Sequence, residues 1–125
     1  MGHRRHYTLE EANASLDWVR DRIARLRGAR EQLTDEEARK ALSDATPGNG
    51  GGAPGQVVSE GFLALREALT ELQEAEIVLR DLDRGLVDFP AVREGEEVYF
   101  CWVEDEDQIG WWHPPDTGYA GRQPL

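Results

Sequence analysis

Residues 97–103 read Glu97-Val98-Tyr99-Phe100-Cys101-Trp102-Val103, and this stretch decides the architecture. In an extended chain Val98, Phe100 and Trp102 face one way, while Tyr99, Cys101 and Val103 face the other. Both faces are apolar, so the strand must be central and covered on both sides. Working outward, Leu86-Val87-Asp88-Phe89-Pro90-Ala91-Val92 precedes it and Ile109-Gly110-Trp111-Trp112-His113 follows it, each with the texture of a strand. Ile77-Val78-Leu79 supplies one more, so the region reads as three or four short strands in a meander. Arg93-Glu94-Gly95-Glu96 is a hairpin turn, with Gly95 at the position that needs positive φ. Pro90 has no N–H to give a ladder and belongs on an edge or at a bulge.

One cover for such a sheet comes from the preceding half of the chain. Thr8-Leu9-Glu10-Glu11 is a capping box, in which the Thr8 hydroxyl accepts the N3 amide and Glu11 reaches back to the cap amide. Leu9, Ala12, Leu16, Val19, Ile23, Leu26 and Leu33 then recur as a heptad seam. Thr34-Asp35-Glu36-Glu37 repeats the capping pattern, so residues 35–43 either prolong the first helix or form a short one after a kink. Residues 45–55, ATPGNGGGAPG, are a flexible Gly/Pro linker. Ser59 caps a second long helix through about Ala75, with Phe62, Leu65, Leu69, Leu72 and Leu79 on one stripe and the small Gly61, Ala68 and Ala75 beside it. The spacing predicts a long antiparallel helical hairpin, Leu9 toward Leu79 and Leu33 toward Phe62, packed on a small, mostly antiparallel C-terminal sheet. The fold class is α+β. The expected organisation is a single domain over residues 1–125, with a helical part at 8–75 and a β-meander plus tail at 77–125.

The net charge of −11 is uneven: residues 1–30 carry seven arginines against four acids, and residues 61–125 carry five against fifteen. Polyphosphate is repelled by the acidic part, which disfavours nucleic acid and suits basic partners or metal ions better. The first helix, with Arg20, Arg25 and Arg27, is the one face suited to an acidic partner. Cys101 is alone and has no intramolecular disulfide partner, no apolar run approaches the ~20 residues needed to cross a bilayer, and residues 1–8 lack an apolar leader core. A cytoplasmic protein with no membrane partner is the expectation.

Seven of the ten aromatic residues lie between Phe89 and Tyr119, so any site belongs in this tail. Asp88, His113, Asp83 and Cys101 are its plausible metal or acid–base set, brought side by side by a meander. No CxxC or HxxxH pair announces zinc, and His3 and His6 are expected on a frayed terminus. The bland readings compete: a half-buried His113 ring beside two tryptophans, an Asp88 carboxylate serving turn amides, and Cys101 as a small buried hydrophobe. Glu104-Asp105-Glu106-Asp107 lacks the ligand spacing of a calcium loop and reads as an acidic hairpin tip. No nucleophile elbow or phosphate-binding loop is present. Adjacent Trp111 and Trp112 point to opposite faces, so one is core and the other is a stacking platform. Arg122 suits a carboxylate or phosphate, or a clamp on Asp88 or Asp83. The reading is a non-enzymatic binding or protein-interaction module, a homodimer through the helical seam, with a site at Asp88, Trp112, His113 and Arg122. The alternative is a small metal-dependent enzyme using His113 and Asp88. No cofactor is identified.

Tyr7-Thr8-Leu9-Glu10-Glu11-Ala12-Asn13-Ala14-Ser15-Leu16-Asp17-Trp18-Val19-Arg20, the run from Asp81 through Asp88-Phe89-Pro90-Ala91, Phe100-Cys101-Trp102, Ile109 through His113, and the ending Gly118 through Leu125 resemble the bacterial proteins grouped as domain of unknown function 2203. The resemblance spans nearly the whole chain outside the linker. It implies a small cytoplasmic bacterial protein with N-terminal helices and a C-terminal sheet, and it carries over no activity, cofactor or catalytic residue.

Overall fold

A computed structural model describes residues 2–43 and 59–125. Its element order is α1 (Leu9–Ala14), α2 (Leu16–Glu31), α3 (Asp35–Ser43), α4 (Glu60–Glu74), β1 (Val78–Asp81), β2 (Leu86–Arg93), β3 (Glu96–Val103), β4 (Trp111–His113) and β5 (Gln123–Pro124). The linker expected at 45–55 lies outside the described residues. The strands form a five-stranded antiparallel sheet in the order β1-β2-β3-β4-β5, one strand more than the three or four expected. Helices precede the sheet, as an α+β chain requires.

Local chemistry explains the boundaries. Thr8 and Glu11 form the reciprocal capping box at α1, Thr34 and Glu37 make the same two contacts at α3, and the Ser59 hydroxyl accepts from the Phe62 amide at α4. The first helix is interrupted at Ser15, which the periodicity did not announce. Its hydroxyl donates back to the Glu11 carbonyl at 2.9 Å, a bond that competes with the helical ladder and bends it. α3 is a separate short helix. The end of α4 is a Schellman turn: the Ile77 amide donates to the Leu72 carbonyl and the Glu76 amide to that of Gln73. Glu76 holds the left-handed position with φ 59°, where Gly is usual.

α2 and α4 run in opposite directions, with Gly61 beside Ala29 and Leu33 and Glu71 paired to Arg22. A Cβ on Gly61 would meet Gln32 Cβ at 3.0 Å, so the hydrogen side chain is what admits this approach. The seam residues Leu16, Val19, Ile23 and Leu26 are buried together with Leu65, Leu72, Val87, Phe89 and Trp102 in one cluster. They are therefore covered within one chain. Register places Val87, Phe89, Ala91, Val98, Phe100 and Trp102 on this inner face.

Asp88, Pro90, Tyr99, Cys101, Trp111 and His113 share the outer face. Part of its cover is the N-terminal segment, which is tied down where fraying was expected. The His3 amide donates to Glu97, the His3 ring contacts Glu76 and the Tyr99 hydroxyl, and His6 contacts Glu97. Tyr7 is buried and its amide donates to the Pro90 carbonyl at 2.7 Å. β1 pairs with β2 only as far as Asp88, so Pro90 sits at a local edge inside a central strand. Its missing N–H interrupts no bond to β3. The turn after β2 has positive φ at both Glu94 and Gly95, the signature of a type I′ hairpin.

Candidate functional site

Three strands each bring one donor to the outer face: Asp88 from β2, Cys101 from β3 and His113 from β4. All three are buried, with Asp88 at 1 % and the other two at 0 % exposure. One carboxylate oxygen, one sulfur and one ring nitrogen lie within 4.8 Å of one another. A tetrahedral ion with bonds of ~2.0–2.3 Å separates its ligand atoms by roughly 3.3–3.8 Å, so the cluster has the right size. Among the described residues no fourth donor joins it.

The hydrogen bonding leaves this trio unfinished. His113 Nδ1 lies 2.7 Å from the Pro114 carbonyl, which can only accept, so the ring proton is assigned to Nδ1. In that tautomer Nε2 carries a lone pair, and it lies 3.0 Å from Asp88 Oδ2, a contact that is an ion pair only when the ring is protonated. That distance is short, but the direction is not that of a hydrogen bond, so Nε2 makes none. Asp88 Oδ1 is also buried without a partner. Each orphaned group costs ~1–3 kcal/mol, and two of them adjoin a third donor here.

Two arginines flank the trio. Arg80 on β1 donates Nε to Asp88 Oδ2 at 2.8 Å, and its side chain remains 43 % exposed. Arg122 lies between the Trp111 and Tyr119 rings, pairs with Glu106 at 2.9 Å, and brings Nη1 to 3.9 Å from Cys101 Sγ. Burial, then the Asp88 charge, pushes the Cys101 thiol up to about 11. In the metal-free chain it is a protonated thiol at neutral pH, and an ion must displace the proton to bind sulfur.

The structure brings Asp88 and His113 together and puts Arg122 on the Cys101 side of them. Trp112 goes elsewhere: it pairs in register with Phe100, packs against the core, and carries Arg93 over its ring. Trp111 takes the outer position. Asp83 lies at the β1–β2 turn, pairs with Arg30 and is not among the clustered donors. The acidic connection after β3 is partly structural: the Glu106 carboxylate accepts from the Val103 amide and from Arg122, and its carbonyl accepts from Trp102 and Arg20. Arg80 was not picked out from sequence. The available signal was the short β1–β2 hairpin, which folds the residues on either side of the Asp81–Gly85 turn back on one another.

Over residues 5–125 the chain matches the model of the family described as "Uncharacterized conserved protein (DUF2203)". The chain belongs to the DUF2203 family. The resemblance read from its tail motifs and capped first helix is thereby borne out. No curated protein and no solved structure matches this DUF2203 chain. No helix among its described residues is long and apolar enough to cross a membrane.

Proposed function

We propose that this DUF2203 member is a metal-binding protein with a mononuclear site formed by Asp88, Cys101 and His113. One observation carries the reading: two buried, unpartnered polar atoms, Asp88 Oδ1 and His113 Nε2, stand beside a buried thiol within ligand distance of one another. A cation among them would remove both desolvation costs at once. The donor set favours zinc, which accepts sulfur, nitrogen and oxygen together, over calcium or magnesium, which take oxygen alone. Three protein ligands with an exchangeable fourth position is the zinc arrangement that supports catalysis. This joins the two expectations raised by the sequence, a binding module and a metal-dependent enzyme, at one site. Asp88 and His113 are sealed from solvent and are out of reach of a macromolecular partner. A homodimer through the helical seam draws no support, since Leu16, Val19, Ile23 and Leu26 are covered within one chain. A cytoplasmic setting fits, because Cys101 must stay reduced to ligate.

Metal-free, untagged protein should take up one equivalent of Zn2+ or Co2+. Cobalt should show a thiolate charge-transfer band. His113→Ala and Cys101→Ser should each weaken binding by more than about 100-fold, while His3→Ala with His6→Ala should not. Uptake that survives both site substitutions would refute the assignment.

A further inference from the structure

The geometry points to a carboxylate anion as the exchangeable fourth ligand, held jointly by the metal and by Arg80. This inference rests on the metal reading and extends it to the class of molecule the site takes. A divalent ion with the Asp88 carboxylate, the Cys101 thiolate and a neutral His113 ring forms a neutral centre. Arg122 adds nothing to this balance, because Glu106 already pairs with it. Arg80 differs: among the described residues the one carboxylate it pairs with is Asp88. Once Asp88 serves a cation, its charge is shared and Arg80 remains as a net positive charge beside the centre. One small anion restores neutrality, and the Arg80 guanidinium, with its Nε on Asp88 Oδ2 and its plane over the Tyr99 ring, is the cation beside the centre for such a guest. Asp88 can bind the metal through the unpartnered Oδ1 while Oδ2 stays on Arg80.

Access and shape narrow the anion further. Arg80 is half exposed, whereas Asp88, Cys101 and His113 are sealed. It also lines a groove of about 600 Å³ at the β1 edge, whose walls include Leu69, Leu72, Leu79 and Leu82. Arg80 is thus the residue that touches both the trio and the groove. Glu76 also lines the groove, but its carboxylate is engaged by the amides of Arg4 and Arg5 and by the His3 ring. A cationic rim on apolar walls suits a carboxylate bearing a hydrocarbon tail better than inorganic phosphate, which offers those walls nothing to bury.

Cobalt-loaded protein provides the test, because metal uptake and anion binding are read in different bands. Acetate, butyrate and inorganic phosphate are titrated while the ligand-field bands are followed, and metal content is measured for every sample. Acetate should shift these bands saturably, and butyrate should bind tighter by up to about fourfold per added methylene. Arg80→Gln, compared per bound cobalt, should weaken both carboxylates by about 10–100-fold, with Arg80→Lys between the two. Ligand-field bands that ignore acetate and butyrate, or an Arg80→Gln protein that binds them like wild type, would overturn the inference while leaving the metal site standing. Phosphate binding tighter than butyrate would overturn the carboxylate assignment. Failure to take up cobalt would remove the metal reading itself.

Discussion

Metal binding should release one proton, and that proton should come from Cys101. In the metal-free chain burial and the neighbouring Asp88 charge push this thiol up to about 11. At pH 7 it lies about four units below its midpoint, so ionising it costs ~5 kcal/mol at ~1.36 kcal/mol per unit. That cost is well inside the ~10–16 kcal/mol by which structural zinc binds. In the Nδ1–H tautomer His113 gives up no proton on binding, because that hydrogen stays on the Pro114 carbonyl and Nε2 meets the ion through its lone pair. The apparent affinity should therefore rise about tenfold for each pH unit across the neutral range, with a slope of one. Calorimetric titration with Zn2+ in two buffers of different protonation enthalpy gives the proton count directly. Cys101→Ser should bring the count to zero along with its weakened binding. Two protons per metal would show that His113 begins as an imidazolium paired with Asp88, which defeats the lone-pair argument. Zero protons in a protein that does bind metal would show that sulfur is not a ligand.

Gly85→Ala should destabilise the fold by ~1–3 kcal/mol, read as a lowered denaturant midpoint. The glycine has φ +66°, and a Cβ there would stand 2.8 Å from the Glu104 side chain; a loss below ~0.5 kcal/mol would mean the turn relaxes freely. The N-terminal segment should loosen in acid. Hydrogen bonds from the His6 ring and the His3 amide hold Glu97 below the usual carboxylate range. Burial works to raise Glu76, but the amides of Arg4 and Arg5 with the His3 ring outweigh it and hold it low as well. Both folded values are depressed, so their stabilisation is present above the ordinary carboxylate value and is lost as pH falls through the folded ones. Exchange protection of the Tyr7 amide, bonded to the Pro90 carbonyl, should fall over that acid window and lose its pH dependence in Glu76→Gln with Glu97→Gln. Protection that stays constant down to about pH 3 would contradict this.

Much of the framework could be read from residue order because it is local. Capping pairs are four residues long, the β3 alternation is seven, and the Glu94-Gly95 turn is two, so each carries its geometry within a short window. The parts that could not be read depend on distant partners. Glu76 looks like an ordinary helix-end residue until the amides of Arg4 and Arg5 arrive from the other end of the chain. His3 and His6 look frayed until Glu97 appears. Opposite placement of Trp111 and Trp112 follows from strand alternation, but which one faces inward depends on the β3–β4 register. The connection over residues 104–110 is irregular, so its length did not set that register. Pairing of Tyr99 with His113 settles it, sending His113 outward and Trp112 toward the helices.

The same register explains why the trio is costly as well as why it exists. β3 needs two covers, and helices supply only the inner one. On the outer side the N-terminal segment reaches Tyr99 through His3, and the C-terminal tail reaches Cys101 through Arg122. Irregular chain of this kind brings its own polar groups, as when Pro114 offers its carbonyl to His113. It does not satisfy all of those on the sheet, since Asp88 Oδ1 and His113 Nε2 remain without partners. Apolar side chains of similar size at these two positions would relieve that cost and would ordinarily stabilise a buried sheet face. Packing therefore accounts for Trp102 and Phe89, which fill the inner core, but not for a buried imidazole and a buried carboxylate left short of hydrogen bonds side by side. A bound cation would account for both orphaned atoms with the donors already in place.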